Sequence, residues 1–87
     1  MPKLNFEGFD IPMHTKGALE RYIVDGLMPG SFLEAVLAND LMRAAGAADA
    51  QNRVAIFDIA KWLYNRAPGG CYGSYERVEA WKGLENM

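Results

Sequence analysis

The sequence predicts an all-α fold: one small four-helix domain with an extended N-terminal arm, associating with copies of itself. Three observations carry this reading. The chain has 87 residues, 51% of them apolar and 12 of them alanine. Apolar positions recur at helical spacing in four stretches, each opened by a capping residue or closed by Gly and Pro. Residues 1–13 alternate only in part, Leu4 and Phe6 against Asn5 and Glu7, and read as an extended arm with one short strand.

The arm comprises residues 1–13, where Pro2, Gly8 and Pro12 break any helix and Leu4, Phe6, Phe9 and Ile11 need cover. These side chains either fold back on the helices or cover a neighbouring subunit. Residues 14–87 form the helical domain. Thr15 is the expected N-cap of the first helix, which runs to about residue 25 with Leu19, Tyr22, Ile23 and Leu27 inward and Gly26 as its C′ residue. Ser31 and Glu34 match a capping box at the start of a second helix that carries Leu33, Val36, Leu37, Leu41 and Ala44 and ends near Gly46. A third helix runs from residue 48 or 49 to residue 66 and is stopped by Pro68, Gly69 and Gly70. Ser74 caps a short last helix with Val78, Trp81 and Leu84 inward.

Composition removes several function classes. The net charge of −2 and pI near 5.2 lack the basic footprint of a nucleic-acid binder. No apolar run approaches the ~20 residues of a membrane span, and a lone Cys71 forms neither an internal disulfide nor a cysteine zinc site. A cytoplasmic protein without metal or cofactor is expected. Cys71 and the single His14 are distant in sequence, and no acid–base pair can be assembled, so the expectation is not an enzyme.

Two polar residues fall inside apolar stripes. On helical wheels Asp40 lies near the middle of the second stripe and Asn52 inside the third, so a hairpin turning near Gly46 makes them face one another. Such a pair either fixes register or lines a ligand or subunit pocket with Asn39. Gly30-Ser31 and Gly73-Ser74 each open a helix, presenting free amides to an anion or simply starting the helix, with Arg21 and Arg66 as charge partners. His14 is either a ligand contact or a residue before a cap. Phe57, Trp62 and Tyr64 make the third helix apolar on more than one face, which self-association would cover.

Three strings stand out: His14-Thr15-x-x-Ala18-Leu19-x-Arg21-Tyr22; Pro29-Gly30-Ser31-Phe32-Leu33-x-Ala35-Val36-Leu37-x-Asn39-Asp40-Leu41; and Trp62-Leu63-Tyr64-Asn65-x-Ala67-Pro68-x-x-Cys71-x-Gly73-Ser74. Together they resemble a family of short accessory proteins of tailed phages and prophages over residues 14–82, with Tyr72 where the family pattern has Trp. The resemblance implies a context of anti-defence factors, including small helical oligomers that sequester nucleotide-derived immune signals. The expectation is therefore a non-catalytic binding protein whose ligand, a cyclic or modified nucleotide, meets His14, Arg21, Tyr22, Gly30, Ser31, Asn39, Asp40, Tyr64, Asn65, Arg66, Gly73 and Ser74.

The alternative is a protein-interaction inhibitor of a host defence or polymerase protein. The first 40 residues hold six acids and three bases, which favours a basic partner surface. A DNA-reading helix-turn-helix is disfavoured, because the second helix would offer Glu34 and Asp40 to a phosphate-lined groove.

Overall fold

The first helix, α1 (Met13–Asp25), begins before Thr15. Pro12 fixes its own φ at −57°, and its carbonyl takes the amides of both Thr15 and Lys16 at 3.0 Å, so the chain enters the helix at the proline. Thr15 is thereby carried into the first turn and buried instead of capping it. The computed structural model describes residues 4–87; the first three residues of the predicted arm lie outside the described residues.

The stretch predicted as the second helix is two helices, α2 (Ser31–Leu37) and α3 (Leu41–Ala47), which makes five among the described residues with α1, α4 (Ala50–Arg66) and α5 (Tyr75–Ala80). The break has a clear cause. Asn39 takes a left-handed φ of 64°, its amide donates to Val36 O at 3.1 Å, and the Asp40 amide donates to Ala35 O at 2.8 Å. These two bonds are the Schellman stop of a helix, with Asn39 in the place glycine usually fills. Asp40 then caps α3, its carboxylate accepting the Arg43 amide at 3.2 Å. The Asn-Asp pair ends one helix and starts the next.

The capping box expected at α2 does not form. Gly30 is the N-cap, Ser31 is the exposed first helical residue, and Glu34 pairs instead with Arg43 Nη2 at 3.2 Å. The cap expected at Ser74 forms, accepting the Arg77 amide at 3.2 Å, and α4, expected to start at residue 48 or 49, is capped by Asp49, which accepts the Asn52 amide at 2.7 Å. A 3-10 turn, Gly69–Cys71, joins α4 to α5, and a second, Leu84–Asn86, follows α5.

Leu19, Tyr22 and Ile23 of α1 meet Leu33 and Leu37 of α2, Ile59, Trp62 and Leu63 of α4, and Val78 of α5 in one core. The described part of the arm folds back on it. Phe6 stacks on Trp62 with ring centroids 4.5 Å apart, and Trp62 Nε1 donates to Asn5 O at 2.8 Å. Ile11 is buried beside them. Leu27, expected inward, is 56% exposed, because Gly26 at φ 76° turns the chain away from α1. The C-terminal segment crosses that turn: Trp81 Nε1 donates to the Tyr22 and Ile23 carbonyls at 3.1 and 3.2 Å, filling the open end of α1. No strand occurs among the described residues, and no helix there is long and apolar enough to cross a membrane.

Candidate functional site

The start of α1 and the start of α4 come together around His14. Its Nε2 lies 3.2 Å from Asp49 Oδ2 and 3.5 Å from Asn52 Nδ2. Asn52 is itself held from behind, since Thr15 Oγ1 donates to Asn52 Oδ1 at 2.6 Å with both residues buried. Helix α1 thus supplies the ring, and α4 supplies a cap carboxylate and a core amide three residues apart, which places both on the same turn.

His14 walls two open concavities. One, of about 360 Å³, is formed by the arm, α1 and α4, including Asp10, Pro12, Gln51 and Val54. The other, of about 320 Å³, is formed by Thr15, Ala18, Gly30, Ser31, Phe32 and Asn52 with neighbouring apolar side chains. Volumes of this order suit a small molecule. Three of the sequence-predicted residues, His14, Gly30 and Ser31, therefore share one cleft. Arg21 lies on the same face of α1 two turns beyond His14, and its guanidinium reaches back over Gly17.

A second group assembles at the α2–α3 corner. Asn39, Tyr64 and Gly73 line one shallow concavity, and Asn39 and Asp40 line the next; Val36 and Ala60 belong to both, so the two form a continuous groove. Asp40 does not face Asn52. Its carboxylate accepts the Tyr75 hydroxyl at 2.6 Å, and Arg43 Nη1 donates to the same hydroxyl at 2.9 Å. The Tyr75 hydroxyl, followed by the Arg43 amide, holds the Asp40 carboxyl below the usual aspartate range. The wheel failed here because it carried one helical phase through Asn39, where the helix ends.

The remaining predicted residues go to structural work. Tyr22 is fully buried; its hydroxyl donates to Cys71 O at 2.8 Å, and burial, reinforced by Cys71, raises its pKa, so no base can stack on it. The Gly73 amide is spent on Leu37 O at 2.7 Å, and Ser74 caps α5. Gly30 and Gly73 accordingly sit at opposite ends of α2, about 10 Å of helix apart for seven residues. Asn65 Nδ2 donates to Lys61 O at 2.8 Å within its own helix, and the Arg66 guanidinium lies 5.5 Å over the Phe9 ring. Cys71 is buried and its thiol is pushed up to about 12 by desolvation, so it is no nucleophile.

The outer face of α4 completes the picture. Val54, Phe57 and Tyr64 are 86%, 83% and 79% exposed, and with Ala50 and Lys61 they follow a 4-3-4-3 spacing, a single stripe. Val54 also walls the His14 cleft, and Tyr64 walls the corner groove, so the stripe runs from one to the other. Thr15, which sequence reasoning took only for a cap, and Asp49, which it took only for a helix start, both belong to the His14 group. Compared with protein-family models, curated proteins and solved structures, the chain matches none.

Proposed function

We propose that this protein is a non-catalytic accessory protein of the phage anti-defence type that sequesters a small anionic ligand, a cyclic or modified nucleotide, between copies of itself. One observation carries the reading: an uncovered apolar stripe on α4 borders an open cleft of ligand size. A second copy seated on Val54 and Phe57 covers the stripe and gives the His14 cleft the wall it lacks. The ligand meets His14, the residue common to both concavities, and reaches Gly30 and Ser31 in the adjoining α1–α2 one, with Arg21, two turns along α1 from His14, supplying the cation. The screen that tests this is calorimetry and thermal unfolding with cyclic di- and trinucleotides and cyclic ADP-ribose variants. Binding stabilises the fold by about 2.7 kcal/mol when ligand stands at a hundred times its Kd, and His14→Ala with Arg21→Ala loses that gain. No stabilisation by any of these compounds at millimolar concentration overturns the reading.

A second reading is favoured by charge. The α4 stripe includes Lys61 and no acid, and Arg53 is exposed beside it, although the chain as a whole is acidic. A protein-interaction inhibitor working through this face would take an acidic partner rather than the basic one that the N-terminal acids suggest. The pair His14→Ala with Arg21→Ala separates the two readings: it abolishes nucleotide binding under the first and leaves capture of an acidic host protein intact under the second.

A further inference from the structure

Opposite charges flank the α4 stripe. At 100° per residue, Arg53 stands about 60° to one side of the stripe's mean direction and Asp58 about 80° to the other. Arg53 is exposed, and neither residue belongs to an ion pair among the described residues. The Asp58 flank is tied to the arm, because Asp58 Oδ2 accepts the Asp10 amide at 3.0 Å. The cleft between the arm, α1 and α4 opens on this same flank, walled by Gln51 and Val54 of α4 and by Asp10 of the arm. Its walls include Asp10 and His14 but neither Lys nor Arg. The Arg53 flank leads the other way, to Ala60 and the corner groove.

These flanks decide how a second copy sits. A two-fold axis along α4 sets each flank against the opposite flank of the other copy, so Arg53 meets Asp58 five residues further on, as flanking charges pair across a parallel two-helix seam. A two-fold axis across α4 sets like flanks together, and Arg53 then meets no Asp58 in any register. We infer that two copies pair their α4 helices in parallel and that each contributes Arg53 to the rim of the other's arm–α1–α4 cleft. This pairing rests on the second-copy reading above and gives it an orientation and a residue supplied in trans.

Along the seam Val54, Phe57 and Tyr64 each meet their own counterpart. Lys61 does so too, which fixes register at a cost in stability, and its long stem lets the ammonium reach solvent. A guanidinium has five N–H donors, so Arg53 of the second copy holds Asp58 and still faces the cleft. A cleft proposed to take an anion thereby gains a cation that its own walls lack.

Disulfide trapping of the full chain, without any ligand, tests the orientation. Ala50 and Tyr64 are exposed and lie about 21 Å apart along the helix axis, while Cys71 is buried and stays out of the reaction. Under parallel pairing, Ala50→Cys crosslinks to itself, Tyr64→Cys crosslinks to itself, and a mixture of the two, oxidised after exchange, gives no mixed species by mass. Crosslinks that form only in the mixture show antiparallel pairing; they overturn the inference and leave the second-copy reading standing. Absence of crosslinks in every sample also overturns it, and the wild-type sedimentation mass decides separately on the second copy. Charge exchange tests the contact itself. Arg53→Glu and Asp58→Lys each weaken self-association by about tenfold, and the double variant recovers most of the loss. A double variant no tighter than either single one removes Arg53 from the other copy's cleft.

Discussion

Thr15 and Asn52 show how one hydrogen bond fixes a site. Both are buried, and Thr15 Oγ1 donates to Asn52 Oδ1 at 2.6 Å. Thr15→Val strands the Asn52 oxygen in the core and costs about 1–3 kcal/mol, whereas Thr15→Val with Asn52→Leu removes both partners and recovers most of that loss. A double-mutant cycle in urea measures the difference. The cap carboxylates act at acid pH. Asp40 is held below its ordinary value of 3.8 chiefly by the Tyr75 hydroxyl, and Asp49 chiefly by the Asn52 amide. Depressed carboxylates contribute stability that is present above the ordinary value and lost as the pH falls through the lowered one. The urea midpoint therefore drops below about pH 4, and it drops less steeply in Asp40→Asn with Asp49→Asn. That Asn52 sits inside an apolar stripe was legible from its phase on α4. Its partner was not, because a wheel describes one helix and Thr15 arrives from another, 37 residues away in sequence.

At the scale of elements, glycine decides where two segments cross. Gly26, at φ 76°, ends α1, and Gly83, at φ 98°, passes directly over it. A Cβ on Gly83 would lie 2.5 Å from Gly26 N and 2.6 Å from Asp25 C, which are backbone atoms with little room to yield. Gly83→Ala is thus strained both by conformation and by contact. The conformation alone costs about 1–3 kcal/mol, so the thermal midpoint falls clearly, whereas Gly46→Ala, whose Cβ meets nothing within 4 Å, leaves it unchanged or raised. Helix ends marked by a cap or a glycine, such as Asp49, Ser74 and Gly26, were legible because the signal is local. The stop at Asn39 was hidden because its left-handed turn lies inside an unbroken apolar rhythm from Leu33 to Ala44. The N-cap was misplaced by three residues, from Pro12 to Thr15, because Pro12 read as a breaker of the arm, whereas its carbonyl takes the first helical bonds.

For the whole molecule, the arm and the stripe divide what the sequence left joined. Arm and helix-three aromatics both asked for cover, and the arm covers Trp62 while Phe57 and Tyr64 stay outside. A chain of 87 residues has few elements to spend, and here the last of them, the C-terminal segment, closes the end of α1 rather than the face of α4. For the surface left over we propose a second copy, which would also wall the cleft between the arm, α1 and α4. Sedimentation equilibrium of the wild type beside Phe57→Glu tests this most directly. With Phe57 83% exposed, the substitution leaves the chain's own fold intact, changing its stability by no more than about 0.5 kcal/mol. Self-association through the stripe gives a wild-type mass that is a multiple of 9.7 kDa and a Phe57→Glu mass of one chain. A wild type that sediments as one chain, or a variant that assembles as the wild type does, would contradict it.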